Sequence, residues 1–293
     1  MKKVLGIILA LIMVLSTMAA CSGGSGDTTT NEAGSETSGV PLQANPVIRC
    51  STTTSVNDSG LLPYLEPMFE AATGYDLQVT SNGTGAAIAL GESGDADLLL
   101  VHAKASEEEF VEKGFGIERK PFMYNFFVIV GPADDPAGIK GSATAAEALA
   151  KIAQAKEPFI SRGDDSGTHK KELALWKDAG LSPNGEEDAW YIAAGKGMGD
   201  CLTMGSEKSA YVITDKGTYL SMKDNLDLEI VLGESDDMKN TYSLIACNPE
   251  KNEGLNSEGA DAFIEWMLKE ETLELIAQYG KEQYGEALFL IGQ

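Results

Sequence analysis

Five consecutive hydroxyl residues, Ser51-Thr52-Thr53-Thr54-Ser55, follow the strand-like segment Val47-Ile48-Arg49-Cys50 and precede a helical pattern. Hydroxyls and free backbone N–H groups at a strand-to-helix junction form an anion site. A second segment has the same plan. The strand-like Pro158-Phe159-Ile160-Ser161 runs into Arg162-Gly163-Asp164-Asp165-Ser166-Gly167-Thr168-His169-Lys170-Lys171-Glu172. Ser166, Gly167 and Thr168 fall at the predicted helix start, where N–H groups point outward and the dipole favours negative charge. Arg162 stands at the strand end, and a guanidinium gives planar, bidentate hydrogen bonds to an oxyanion. Asp164 or Asp165 can hold that guanidinium in place. Taken singly, each segment also fits a capped helix with ordinary polar neighbours. The same chemistry in two distant segments points instead to one anion held between them.

Other chemistries lack their parts. Ser166 and His169 lie three apart in one turn, and no G-x-S-x-G elbow surrounds the serine, so a serine hydrolase is a remote alternative. The only other histidine is His102. Two histidines are too few for a His-rich zinc site, and there is no CxxC pair. Asp134-Asp135 and Asp236-Asp237 read as solvated loops without a spaced Ca²⁺ loop. The expectation is therefore a binding protein with no catalytic residue, cofactor or metal.

The chain has 293 residues, 43% of them apolar, with 22 Lys+Arg against 45 Asp+Glu and a net charge of −23. That is enough apolar material for a sizeable core. The charge argues against nucleic-acid binding and against electrostatic docking on anionic lipid. Met1-Lys2-Lys3 is followed by an apolar run over 4–15 that is too short to span a bilayer and fits a secretory leader over 1–20. Small residues before Cys21 resemble a bacterial lipobox, which predicts acylation of Cys21, with Met18 where leucine is more usual. Residues 22–39 hold no large apolar side chain and read as a linker, so 21–45 is anchor and tether. Cys50, Cys201 and Cys247 leave an odd thiol. Buried free cysteines are the favoured reading, and a Cys201–Cys247 bridge stays open.

Positioning the two anion segments requires alternating strands and helices. Strands are predicted at 47–50, 76–80, 96–101, 124–130, 158–161, 190–193, 210–214, 228–232 and 242–246. Helices are predicted at 60–72, 86–91, from a cap at Ser106, 144–154, 167–179, 199–204, 257–268 and 271–279. This is an α/β fold with mostly parallel sheets. The chain leaves a first series through 126–130 and returns through 243–246. That predicts two α/β lobes joined by two crossing strands, 46–130 with 243–293 and 131–242, and a ligand cleft between them.

The segments Thr52-Thr53-Thr54-Ser55 and Arg162-Gly163-Asp164-Asp165-Ser166-Gly167-Thr168-His169 resemble those of the tungstate-binding components of tungstate ABC importers. The likeness extends through GESGDADLLLVH at 91–102, YNFFVIVGPADDPAG at 124–138 and TDKGTYL at 214–220. It implies a type II periplasmic-binding-protein fold and a buried tetrahedral dianion. It also implies Thr53, Thr54 and Ser55 as ligands from one lobe and Arg162, Ser166, Gly167 and Thr168 from the other. Thr84, in Asn82-Gly83-Thr84-Gly85, is a weaker candidate donor. Tungstate or molybdate is the implied ligand, with phosphate an alternative in which Asp164 would accept the proton. The implied setting is a monomer anchored outside the cytoplasm and served by an ABC permease.

Overall fold

A computed structural model describes residues 43–292; the leader, Cys21 and most of the predicted tether lie outside these residues. The first series is β1 (Val47–Thr53), α1 (Thr54–Asp58), α2 (Leu61–Thr73), β2 (Asp76–Asn82), α3 (Thr84–Ser93), β3 (Leu98–Val101) and α4 (Lys104–Glu112). A long strand, β4 (Lys120–Gly131), leads into α5 (Ala145–Ala155), β5 (Phe159–Ser161), α6 (Gly167–Asp178), β6 (Tyr191–Ala193), α7 (Met198–Lys208), β7 (Tyr211–Asp215), α8 (Lys216–Met222) and β8 (Glu229–Leu232). The chain returns through β9 (Lys239–Ala246) to α9 (Ser257–Met267), α10 (Glu270–Gln278), α11 (Lys281–Tyr284) and β10 (Leu290–Ile291).

The strand order is β2-β1-β3-β9-β4-β7-β5-β6, with β8 and β10 also paired to β4. β1 runs parallel to β2 and β3, and β5 parallel to β6 and β7. The middle is antiparallel, because β4 and β9 run against each other and against their outer neighbours. The expected mostly parallel sheet is therefore confined to the two flanks. β4 serves both: residues 120–126 pair with β9 and residues 127–130 with β7. A strand shared in this way must be long, and Lys120–Gly131 extends beyond the apolar run that announced it. At its end a Cβ on Gly131 would stand 2.6 Å from the Tyr211 ring, so only glycine permits that approach.

The apolar faces that α2 and α9 turn inward close around Phe69, whose ring centroid lies 5.0 Å from that of Phe263 and 5.6 Å from that of Trp266. A second cluster packs α5 and α6 against the other flank through Leu149, Phe159, Trp176 and Tyr211. The described residues lie in one compact unit, and the Phe69 cluster includes Val212 and Leu202 from the second series.

Several local expectations are corrected. α4 begins at Lys104 and not at a Ser106 cap; its N-cap is Ala103, with no side-chain bond. Tertiary contact overrides the capping signal there: Glu107 is buried and bonded to Arg119 at 2.5 Å. One aspartate of each pair, Asp134 and Asp236, is exposed as expected, but its neighbour is structural. Asp135 accepts from the Lys140 amide at 2.8 Å and the Tyr211 hydroxyl at 2.8 Å, and Asp237 accepts from the Ala145 amide at the start of α5 at 2.8 Å. Cys50, Cys201 and Cys247 are all free and buried, which removes the Cys201–Cys247 bridge. Burial pushes the thiols of Cys50 and Cys247 up to about 12, so both stay protonated and inert.

Candidate functional site

The candidate residues leave the carboxyl ends of parallel strands, where α/β sheets present their ligand sites. Thr53 ends β1, Thr84 follows β2, and Arg162 follows β5. Of the five hydroxyls at 51–55, two belong to the scaffold. Ser51 donates to the Ala87 carbonyl at 2.9 Å and Thr52 to the Leu100 carbonyl at 2.7 Å, pinning β1 to α3 and β3. Thr53 is buried, whereas Thr54 and Ser55 are half-buried in the first turn of α1.

Ser55 leads to His102, a residue that was not among the expected ligands. The Ser55 Oγ lies 3.0 Å from His102 Nε2, and His102 Nδ1 lies 2.8 Å from Asn240 Oδ1. Both Asn240 N–H groups are spent, on Asn125 Oδ1 and the Tyr242 hydroxyl, each at 2.9 Å. Asn240 therefore offers His102 only an oxygen, which places the imidazole proton on Nδ1 and the lone pair on Nε2. Ser55 donates to that lone pair, and Thr53 Oγ1, 3.2 Å from Ser55 Oγ, donates to Ser55. The order serine, imidazole, carboxamide is that of a nucleophile, base and orienter. Its chemistry is not: one ring edge faces a cavity, but protein surrounds the remainder, and that desolvation pushes His102 down to about 4, too weak for a useful base at neutral pH. Ser166 and His169 do not form such a pair either. Ser166 Oγ accepts from the His169 amide at 3.2 Å, while His169 Nδ1 accepts from the Asp165 amide at 3.0 Å.

His102 gives a pH-dependent stability. Its pKa is lowered from 6.5 to about 4 on folding, so between these values the unfolded chain binds the extra proton and stability falls as pH drops. By pH 5 the loss should be about 1–2 kcal/mol, allowing for the exposed ring edge. Urea unfolding of the protein and of His102→Gln should show a stability gap that narrows from pH 7 to pH 5. A gap independent of pH would contradict the neutral, desolvated imidazole.

On the opposite flank Ser166 is the N-cap of α6, and its own amide donates to Asp164 Oδ1 at 3.2 Å. The amides of Gly167 and Thr168 are the first-turn donors that the cap does not use. Arg162 is fixed by its neighbour, with Nε and Nη2 donating to Asp164 Oδ2 at 3.0 and 2.5 Å. Burial raises the Asp164 pKa, but hydrogen bonds from Ser166 and Arg162 outweigh it and hold the carboxyl below its usual range. Asp164 is thus an ionised anchor with both oxygens engaged, as the sequence reading allowed.

The two flanks meet at Gly167. A Cβ there would stand 2.9 Å from His102 Cε1 and 3.0 Å from Thr84 Oγ1. Thr84, the weaker candidate, is fully buried, and its hydroxyl finds no hydrogen-bond partner among the described residues. A buried hydroxyl left unpaired costs about 1–3 kcal/mol, so such an atom beside Gly167 in the first turn of α6 marks a place for an acceptor. The structure thus brings Thr53, Ser55, Thr84, Gly167 and His102 to one junction, with Arg162 and Asp164 at the next turn of the chain. Such a donor set suits an anion; among the described residues no group of three His, Cys, Asp or Glu side chains is placed to hold a metal ion.

Residues 29–271 match a family model described as a PBP superfamily domain. The tungstate-binding protein TupA of Peptoclostridium acidaminophilum is 48% identical over 291 residues, covering 99% of this chain and 98% of that protein. The solved tungstate-binding protein TupA of Desulfovibrio alaskensis G20 superposes with a TM-score of 0.75 at 44% identity, over 84% of this chain and 99% of that one. The tungstate ABC transporter structure from Geobacter sulfurreducens gives a TM-score of 0.71 at 47% identity, over 80% and 98% of the two chains. These relatives are binding components and not enzymes. The chain belongs to the PBP superfamily and, within it, to the family of the tungstate-binding proteins.

Proposed function

We propose that this chain captures tungstate outside the cytoplasm and delivers it to an ABC permease. The observation that carries this reading is the unpaired, buried Thr84 hydroxyl against the first turn of α6. The dianion sits between lobe 1 (46–130 and 243–293) and lobe 2 (131–242). It accepts from Thr53, Thr54, Ser55 and Thr84 on one side and from Arg162, Ser166, Gly167 and Thr168 on the other. On binding, Thr53 and Ser55 turn their protons from the relay to the ion. Neutral donors and one guanidinium hold the charge without the cost of burying several cations.

Acceptors decide between anions. Phosphate keeps a proton at neutral pH and needs a free acceptor in the site. Both oxygens of Asp164, the acceptor that phosphate would use, are engaged, one by Arg162 and the other by the Ser166 amide. The arrangement favours a fully deprotonated ion, tungstate or its near-isostere molybdate. Acylation of Cys21, with residues 22–39 as tether, keeps a monomer at the membrane near its permease; a single acyl chain would bind only marginally, so several are needed. Calorimetric titration of ligand-stripped protein tests the function. Tungstate and molybdate should bind one per chain, and sulfate and phosphate far more weakly; preference for phosphate would replace this reading with the phosphate one.

A further inference from the structure

A cavity of about 410 Å³ opens beside the junction, bounded by His102, Gly167 and Asn240 on its inner side. Its remaining wall carries Lys104 from α4, Lys170 and Lys171 from α6, and Lys239 from β9, and no acidic residue. That is unexpected in a chain of net charge −23. The lysines come from three separate elements, so helical or strand periodicity does not explain their convergence. Lys170 also reaches across the junction: its Nζ lies 3.8 Å from where a Cβ on Gly85 of α3 would stand.

The basic groups divide by type. The inner junction has one arginine, fixed by Asp164, whose planar fork suits final coordination. The cavity has only lysines, which are hydrated point charges on flexible stems and suit transient attraction. Two of them make loose pairs, Lys104 with Glu108 and Lys170 with Asp165, both at 3.7 Å. Pairs of that kind between exposed partners are weak and leave the ammonium able to turn toward an incoming ion. Lys239 is held 4.0 Å over the Tyr124 ring. The long-range field of the protein repels a dianion, but screening limits each exposed charge to about 8 Å at physiological salt. Inside the cavity an ion is governed by the lysines that line it.

We propose that this lysine-lined cavity is an outer capture station for divalent tetrahedral oxyanions, which it concentrates and passes to the inner site, so that it sets the association rate. The proposal rests on the inner site taking such an ion. A focused basic cleft raises association rates by roughly 10- to 1,000-fold and makes them fall with ionic strength.

The test is stopped-flow tryptophan fluorescence on the ligand-stripped chain mixed with sodium tungstate, from about 0.1 to 1 M NaCl, a range in which screening holds each exposed charge to about 10 Å or less. In the unaltered protein the association rate should fall as salt rises, although the protein and ligand are both anions. Lys104→Gln/Lys170→Gln should slow association about 5- to 10-fold at low salt and flatten the salt dependence, with dissociation changed less than about twofold. Lys104→Glu/Lys170→Glu should slow it further. Association that speeds up with salt in the unaltered protein, or a double glutamine variant that keeps the original rate at low salt, would overturn the capture station. A chain that binds no oxyanion at equilibrium would overturn both the station and the inner site, whereas an unchanged rate with intact equilibrium binding removes the station alone.

Discussion

Gly167→Ala should lose at least about 100-fold in tungstate affinity while still folding. Gly167 has no positive φ, so alanine suits its backbone, and alanine in a helix is favoured over glycine by up to about 1 kcal/mol. The added methyl, however, would meet His102 at 2.9 Å and Thr84 at 3.0 Å. Thr84 is fully buried and His102 is tied to Ser55 and Asn240, so neither yields cheaply. The methyl forces the two flanks apart and displaces the ion from the α6 amides. Losing one or two charge-assisted hydrogen bonds at roughly 1.5–3 kcal/mol each corresponds to that loss. A protein that still folds, with a melting temperature no higher than the original because the clash offsets the helix gain, and near-abolished binding are the expected results. Undiminished affinity would place the ion elsewhere.

Arg162→Ala should weaken oxyanion binding by about 10- to 100-fold, and Arg162→Lys by less, because an ammonium keeps the charge but not the planar fork. Removing Arg162 also leaves the Asp164 carboxylate without its partner and close to the ion. Arg162→Ala/Asp164→Ala separates the two effects. It should recover the part due to repulsion by Asp164 and not the part due to the lost donors. Full recovery in the double variant would mean that Arg162 only neutralises its neighbour and does not touch the ion. Calorimetry on the three variants reads all of this, with circular dichroism showing that the fold survives.

The parts of the site that could be read from the sequence are those that are local along the chain. The hydroxyl run at 51–55 and the Arg-to-Thr segment at 162–168 each pack strand end, turn and helix start into a few residues, so their chemistry shows without a partner. The division of labour within the first run could not be read. Ser51 and Thr52 are spent on carbonyls of Ala87 and Leu100, far along the chain. His102 is hard to recognise from sequence because its partners Ser55 and Asn240 are 47 and 138 positions away. One signal was available: His102 directly follows β3, and so occupies the same carboxyl-end position as Thr53 after the apolar core of β1. Thr84 looked weak because Asn82-Gly83-Thr84-Gly85 is an ordinary turn sequence; its importance lies in a hydroxyl that burial leaves unpaired. In the fold, the apolar periodicity located the strands and helices. It did not show that β4 and β9 run antiparallel through the middle, since pairing direction depends on which strands become neighbours. Asp237 is illegible for a related reason: an acid in a loop looks solvated until the α5 amides are packed against it.

The most direct measurement is crystallographic: the protein grown with tungstate and diffracted at the tungsten absorption edge. One anomalous peak should lie between the two flanks, its oxygens within hydrogen-bond distance of Thr84 Oγ1, the Gly167 amide and the Arg162 guanidinium, with Ser55 turned away from His102. A tungsten peak bound to one flank only, or seated at the lysines with the Thr84 hydroxyl still unpaired, would contradict capture at this junction.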